Sequence, residues 1–322
     1  MKTAKIGLLG FGNVGGGTYK ILTQNKEIIE KRTGVTPEVI KILKRSKNKK
    51  RLMDADSSLL TEDPDDIIQN PEIDIVVEMI GGIEPATSFM VQAMKAGKHV
   101  VSANKAAIAA NYRLLTNTAK EYNVEFLYEA SVAGGIPVLS SLTGPLEANN
   151  FVEIMGILNG TTNYILTKMT DENLPYDEVL KDAQEKGFAE ADPTTDVEGI
   201  DAANKLSILI ALAFDKHIHP DSIPTVGITG ISSDDIKAAE ESGKKIKLIG
   251  KASLRDGMVE YMVAPTLLDK NHPLAGVSNE FNAVYVTGDM VGELMFYGRG
   301  AGPLPTGSAI CGDIINIMKN RF

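Results

Sequence analysis

The chain has 322 residues, more than one hydrophobic core usually spans, so we expect two domains. Hydrophobic residues make up 43% of it and charged residues 23%, which excludes a disordered chain. The net charge of −9 argues against nonspecific binding to nucleic acid or to a membrane, because both attract basic proteins. Cys311 is the only cysteine, so no intramolecular disulfide can form and a cytoplasmic location is expected.

The first predicted element is a buried strand over residues 4–9 that runs into a glycine-rich turn, followed by a helix-compatible stretch. In a dinucleotide-binding fold the first glycine of such a turn makes the tight bend, the second admits the pyrophosphate, and the third lets the helix pack on the strand. A merely structural glycine turn is the alternative. The predicted cofactor-binding residues here are Gly10, Phe11, Gly12, Asn13, Val14 and Gly15.

Short apolar runs recur at 38–43, 73–78, 98–102 and 124–128, with helix-like segments near 85–96 and 106–121. This alternation predicts an α/β fold with a doubly wound parallel sheet of the Rossmann type. Such sheets bind ligands at the carboxyl ends of their strands, where Gly81 and Ser102 fall. Lys105 begins the next helix, a position that allows either a place near the nicotinamide or exposure to solvent.

The second strand ends in the basic run KRSKNKKR, residues 44–51, where an NAD-specific site usually has an acidic residue for the ribose hydroxyls. Arg45 and the neighbouring lysines could instead meet a 2′-phosphate, so NADP is favoured over NAD. A solvated basic turn and use of both cofactors remain open.

Glu129 follows the last of these strands and is succeeded by the small-residue stretch ASVAGGI. Carboxylate and carbonyl oxygens suit a hard cation, so Glu129 could help to hold one. It could equally cap a helix, and the residues alone do not decide between the two.

The stretch DVEGIDAANKLSILIALAF, residues 196–214, has the periodicity of one helix, with Glu198, Asp201 and Lys205 on a shared face. Asp201 and Lys205 have the i, i+4 spacing of an exposed ion pair. However, the helix becomes wholly apolar after them, so its first charges should lie at the edge of the core and need partners there. A small cationic substrate is one such partner.

Seven blocks, in order, resemble those of the homoserine dehydrogenases, and the resemblance covers nearly the whole chain. They are GLLGFGNVGGG, GGIEP, SANKAAIA, YEASVAGGIPV, GILNGTTNYIL, GFAEADPTTDVEGIDAANK and MFYGRGAGPLPTGS. The resemblance implies reversible NAD(P)H-dependent reduction of L-aspartate 4-semialdehyde to L-homoserine, on the way to threonine, methionine and isoleucine. It also implies a homodimer. The expected domains are a nucleotide-binding domain, 1–130 completed by 298–322, and an α+β dimerisation and substrate-binding domain, 131–297.

The resemblance further implies roles for single residues. Lys205 would donate the proton, and Lys105 would be a second active-site lysine near the cofactor, with Gly302 close by. The implied substrate-binding residues are Gly187, Glu190, Asp196, Asp201, Asn159, Gly160 and Thr161. A structural sodium ion would be held by Glu129 and by backbone oxygens of Val132, Gly134 and Ile136. No role is evident for Asp192.

Two positions depart from the common family pattern: Thr195 stands where many members have aspartate, and Asn204 where arginine often precedes the lysine. Many bacterial members also continue into a regulatory ACT domain, whereas this chain ends at Phe322, so we expect no direct inhibition by threonine. The alternatives are another NAD(P)-dependent amino-acid or semialdehyde dehydrogenase and a non-catalytic dinucleotide sensor. Aspartate-semialdehyde dehydrogenase needs a nucleophilic cysteine, and Cys311 falls in an apolar helix that does not favour a thiolate.

Overall fold

A computed structural model describes residues 2–44 and 54–322, which form two compact units. The first unit comprises the residues up to Gly135 together with Ala301–Phe322, and the second is Ile136–Gly300. Nowhere in the described ranges is a helix both long enough and apolar enough to cross a membrane.

The described strands are β1 (Lys2–Leu9), β2 (Val35–Leu43), β3 (Leu60–Thr61), β4 (Ile75–Glu78), β5 (His99–Ser102), β6 (Phe126–Leu127), β7 (Phe151–Ile157), β8 (Lys244–Arg255), β9 (Met258–Asp269), β10 (Phe281–Gly288) and β11 (Gly292–Arg299). The α-helices are α1 (Asn13–Gln24), α2 (Lys26–Thr33), α3 (Asp65–Ile68), α4 (Ala86–Lys95), α5 (Lys105–Glu121), α6 (Leu139–Leu142), α7 (Gly160–Glu172), α8 (Tyr176–Glu185), α9 (Thr194–Val197), α10 (Ile200–Phe214), α11 (Ser233–Glu241) and α12 (Pro303–Arg321). Short 3₁₀ turns include Glu129–Ser131 and Pro273–Gly276.

The first unit is built on a six-stranded sheet in the order β3-β2-β1-β4-β5-β6, with every pair parallel. Ile6 and Leu8 of β1 pack in one buried cluster with Ile310 and Ile314 of α12. The last helix therefore completes the core of the first unit, which explains why a helix with an apolar face occurs so late in the chain. The Rossmann-type prediction is confirmed.

The second unit contains a five-stranded antiparallel sheet in the order β11-β10-β7-β8-β9. Helix α10 lies against β8 and β7, and its residues Leu206 to Ile210 are all buried. An apolar surface on every side is what a helix needs when it passes through the core of a domain rather than over it. The α+β class predicted for this unit is confirmed.

The single helix predicted over 196–214 is wrong, because Gly199 divides it. Gly199 has φ +80°, a left-handed conformation that glycine adopts without a steric penalty and that ends a helix. Glu198 therefore closes α9, and its carboxylate accepts a hydrogen bond from Thr229 Oγ1 at 3.0 Å. It does not share one helical face with Asp201 and Lys205, whereas those two residues do lie one turn apart on α10.

Candidate active site

The glycine-rich turn after β1 has the geometry of a ligand-binding loop. Gly10 has φ +110°, and a β-carbon there would lie 2.8 Å from the carbonyl oxygen of Met79. A β-carbon on Gly15 would lie 2.4 Å from the carbonyl oxygen of Gly10. These two glycines are therefore required by the packing of the loop itself.

Gly12 differs, because among the described residues no atom apart from those of Gly12 and its two chain neighbours lies within 4 Å of the position its β-carbon would take. It precedes α1, whose N-terminus has no side-chain cap hydrogen bond. Unpaired N–H groups at a helix N-terminus, next to open space, suit the phosphates of a dinucleotide. The residues of this turn fit a dinucleotide cofactor, which the glycine pattern predicted.

The other residues of this turn differ in how far they are buried. Phe11 is buried, with its ring edge-on to Tyr19 at 5.8 Å between centroids, so only its backbone could reach a ligand. Val14 is half-buried against the same core, and Asn13 is exposed as the first residue of α1. Gly302, also predicted near the cofactor, has φ +117° and precedes α12. Arg45 lies outside the described residues.

The carboxyl ends of β4 and β5 are tied together by a buried carboxylate that the sequence analysis missed. Ser102 Oγ donates to Glu78 Oε2 at 2.6 Å, and the backbone N–H of Ile80 donates to Glu78 Oε1 at 2.7 Å. Burial raises the pKa of Glu78, which these hydrogen bonds partly offset. The hydroxyl of Ser102 is thus already bound by protein, and the acidic residue ending the apolar run IDIVVE was the signal for it.

Asn104 fixes the start of the helix that carries Lys105. Its Oδ1 accepts from the backbone N–H of Ala107 at 3.1 Å, and its Nδ2 donates to the carbonyl oxygen of Gly82 at 2.7 Å. Gly81, just before, has φ +83°. Lys105 is the first residue of α5 and is half-buried. The N-cap therefore links the helix of Lys105 to the glycine turn after β4.

In the second unit, Lys205 is buried rather than exposed. Its Nζ lies 2.6 Å from Asp201 Oδ2 and 2.6 Å from the carbonyl oxygen of Leu158, and the side chains of Lys205 and Asp201 are only 9% and 6% exposed. The alternative of a solvent-exposed ion pair is therefore wrong. A buried pair needs further hydrogen bonds to offset desolvation, and the neighbouring residues provide them.

Asn159 joins this pair to the first turn of α7. Its Oδ1 accepts from the backbone N–H of Thr162 at 2.9 Å, and its Nδ2 donates to Asp201 Oδ2 at 3.0 Å and to Asp196 Oδ1 at 2.7 Å. Thr161 Oγ1 lies 2.9 Å from Asp196 Oδ2. The structure thus brings together five predicted residues, which we call the Lys205 network: Asn159, Thr161, Asp196, Asp201 and Lys205.

Three further positions were predicted to bind the substrate. Gly160 begins α7, and a β-carbon there would lie 2.7 Å from the carbonyl oxygen of Glu280. Gly187 has φ +76° and turns the chain after α8. Glu190 is exposed. Asp192 now has a local role, since its Oδ1 accepts from Thr194 Oγ1 at 2.6 Å and from the Thr194 N–H at 3.1 Å, at the start of α9.

The segment after β6 has features of a cation-binding loop. Glu129 is 6% exposed, and Ala133 and Gly134, both buried, each have φ +55°. Val132 and Ile136 are buried as well, and the Ile136 carbonyl accepts from the N–H of Val138 at 2.8 Å. In the described part of the chain no three His, Cys, Asp or Glu side chains gather as metal ligands. A cation held here would therefore depend on one carboxylate and on backbone oxygens.

Cys311 lies in α12 and is 3% exposed. Burial raises the pKa of its thiol to about 12, so the sulfur is protonated near neutral pH. A mechanism through a thioester has no support from this residue.

Comparisons with known proteins agree over both units. Residues 10–129 match the family model described as homoserine dehydrogenase, NAD binding domain, and residues 137–315 match that described as homoserine dehydrogenase. The homoserine dehydrogenase of Bacillus subtilis (strain 168) is 45% identical over 320 residues, covering 99% of this chain and 74% of that protein.

Solved structures are similar too. A homoserine dehydrogenase from Thiobacillus denitrificans has a TM-score of 0.95 at 43% identity, covering 99% of this chain and 74% of that one. A hyperthermophilic archaeal homoserine dehydrogenase solved in complex with NADPH has a TM-score of 0.82 at 27% identity, covering 99% of this chain and 98% of that one.

Proposed function

The chain belongs to the homoserine dehydrogenase family, and on that premise we propose that Lys205 donates the proton when L-aspartate 4-semialdehyde is reduced to L-homoserine. The observation that carries this proposal is the placement of Lys205. Its ammonium is buried, and Asp201 and the carbonyl of Leu158 hold it in one position. A positioned ammonium in a partly dry site stabilises developing negative charge far better than one in water.

The chemistry divides between cofactor and protein. A bound nicotinamide dinucleotide supplies the hydride. As the aldehyde carbon of the substrate is reduced, negative charge grows on its oxygen, and Lys205 stabilises that charge and then gives up a proton. In the reverse direction, neutral Lys205 takes the proton from the hydroxyl of homoserine. Asp201 keeps the side chain in place for both directions.

The amino-acid end of the substrate carries an ammonium and a carboxylate, so it requires binding partners of both charges. Glu190 is an exposed carboxylate and would pair with the substrate ammonium. Asn159 is the N-cap of α7, and Gly160 and Thr161 begin its first turn, where backbone N–H groups and the helix dipole favour a carboxylate. Lys105, at the start of α5, would be a second active-site lysine near the cofactor.

The direct test is oxidation of L-homoserine by the purified protein, followed as absorbance of reduced cofactor, with NAD and NADP assayed separately. We expect turnover with at least one of them. Cofactor binding without any turnover of homoserine would identify a non-catalytic dinucleotide sensor and overturn the proposal. The product would serve the synthesis of threonine, methionine and isoleucine.

NADP is the proposed preferred cofactor, because the basic run that begins at Lys44 follows β2 and contains no carboxylate to bind ribose hydroxyls. Replacing Arg45 by Asp should raise the KM for NADP about tenfold or more, since a charge-assisted phosphate contact is lost. The KM for NAD should change much less. Equal effects on the two cofactors would show that this run is an ordinary solvated turn.

A sodium ion held by Glu129 with carbonyl oxygens of Val132, Gly134 and Ile136 is the second proposed ligand. The burial of the Glu129 carboxylate beside this run of backbone carbonyls supports it, because carboxylate and carbonyl oxygens suit a hard cation. A bound ion stabilises the folded state by mass action. Replacing sodium by choline should therefore lower the unfolding temperature of the wild type but not that of Glu129→Gln.

A homodimer through the second unit is supported by apolar side chains on one face of its sheet. Met295, Tyr285, Met155, Lys251 and Met262 are successive cross-strand partners, so they form a row on that face that is apolar except at Lys251. Tyr285 and Met155, in the middle of the row, are buried. Met295 at one edge is 43% exposed and Met262 at the other 38%. Exposed apolar groups of this kind mark interaction surfaces. Light scattering should report twice the mass of one chain, and a monomer would contradict the proposal.

A further inference from the structure

Gln184, near the end of α8, donates hydrogen bonds to two consecutive backbone carbonyl groups, those of Glu190 and Ala191. Its Nε2 lies 3.1 Å from the carbonyl oxygen of Glu190 and 3.4 Å from that of Ala191. Carbonyl oxygens only accept hydrogen bonds, so the amide nitrogen of Gln184 and not its oxygen must face them. The contact therefore depends on a donor at this position.

The chain before Glu190 is fixed by other contacts. The N–H groups of Phe188 and Ala189 both donate to the carbonyl oxygen of Ala183, at 2.8 and 3.1 Å. Thr161 Oγ1 donates to the carbonyl of Phe188 at 2.7 Å. These contacts tie the segment to α8 and to the first turn of α7, and through Thr161 to the Lys205 network.

The chain after Ala191 is fixed as well, since Asp192 begins α9 through its hydrogen bonds with Thr194. Glu190 and Ala191 are both exposed and lie between these two anchored ends. Gln184 is the side chain that reaches across this exposed stretch, and its two contacts restrain the two consecutive peptide groups that follow Glu190.

We propose that Gln184 is a positioning residue that holds the backbone of Glu190 in the orientation needed to receive the substrate ammonium. The inference rests on the substrate-binding role proposed for Glu190. A carboxylate on an unrestrained loop loses conformational entropy when it binds a ligand, and restraint beforehand reduces that loss. The effect acts on substrate affinity and leaves the proton transfer at Lys205 untouched.

Three substitutions separate hydrogen bonding from packing. Gln184→Met keeps the length and removes the donor, so the KM for homoserine should rise about five- to tenfold. Gln184→Glu is isosteric but places a carboxylate against two carbonyl oxygens, so its KM should rise further. Gln184→Lys restores a donor and should recover much of the loss. In all three, kcat and the KM for cofactor should stay within about twofold of the wild type.

The Gln184→Glu variant also provides a pH signature that a packing role would not produce. A protonated carboxyl regains one donor, so the KM of this variant relative to that of the wild type should fall as the pH is lowered from about 7 to about 5, toward the usual range of a glutamate carboxyl. The KM of Gln184→Met should show no such fall. Lys181→Met, an exposed change one turn earlier on α8, is the matched control and should leave all constants unchanged.

A double-mutant cycle with Glu190→Gln tests whether the two residues act together. If Gln184 acts through Glu190, Gln184→Met adds little to the rise in KM caused by Glu190→Gln. If the two residues act independently, the two effects on KM combine in full. If the KM for homoserine is normal in Gln184→Met but raised in Glu190→Gln, the positioning role of Gln184 is overturned and the substrate role of Glu190 is not. Normal KM in Glu190→Gln overturns the substrate role of Glu190, and an inactive wild type overturns the proposed function.

Discussion

Replacing Lys205 by Ala is expected to lower kcat for homoserine oxidation by about 10²- to 10⁴-fold, with a smaller change in the KM for cofactor. The change removes the group that stabilises charge on the substrate oxygen and transfers the proton, and effects of this size are usual for such groups. Lys205 is held by Asp201 and by the carbonyl of Leu158. The other four residues of the Lys205 network are not lysines, so none of them can replace its ammonium. Steady-state kinetics at saturating cofactor measure the loss.

The same change leaves Asp201 as a buried carboxylate without its cation, which can cost about 3–5 kcal/mol of stability. Unfolding must therefore be measured beside kinetics. The double variant Asp201→Asn with Lys205→Met removes both charges, so it should recover stability while kcat stays low. Recovery of kcat together with stability would show that Lys205 serves only the fold.

Lys247 provides a matched control, because it is also a buried lysine of the second unit. Its Nζ donates to Asn163 Oδ1 at 2.9 Å and to the carbonyl of Val277 at 2.6 Å, and burial lowers its pKa to about 8. Lys247→Met should reduce stability but leave kcat within about twofold, since none of these partners belongs to the Lys205 network. A large fall in kcat for both lysine variants would point to loss of folding rather than of chemistry.

Replacing Gly12 by Val should raise the KM for the dinucleotide about 10- to 100-fold and leave the unfolding temperature nearly unchanged. The β-carbon would enter open space next to the N-terminus of α1, where the phosphates are expected to bind, so the cost falls on the cofactor complex. Titration of NADPH fluorescence measures the binding directly, without any need for turnover.

Substitutions at two other glycines serve as controls for this result. Gly312→Val also enters open space, at an exposed position of α12 outside the glycine-rich turn, so it should not weaken cofactor binding. Gly15→Val would place its β-carbon 2.4 Å from the Gly10 carbonyl oxygen and should destabilise the first unit. If Gly12→Val behaves like Gly15→Val, the open space is not a ligand site.

The parts of this protein that were predictable from sequence are those set by local pattern. Gly10, Gly12 and Gly15 identified the nucleotide turn, because a strand, a glycine spacing and a helix follow one another within a few residues. The alternating strands and helices predicted the parallel sheet for the same reason. Roles for Glu190 and Lys205 came from family resemblance, since charge spacing alone favoured an exposed ion pair for Asp201 and Lys205.

The tertiary structure decided what surrounds each group. Asp201 and Lys205 are neighbours by helical spacing, but their burial depends on Leu158 and Asn159, which lie more than forty residues earlier in the chain. Likewise, Ser102 is bound to Glu78, 24 residues away, through the pairing of β4 with β5. Spacing along one helix fixes which side chains can meet, whereas desolvation and hydrogen bonding depend on the elements packed over them. Only the fold turned a common ion-pair spacing into a buried ion pair that is hydrogen-bonded to Leu158 and Asn159.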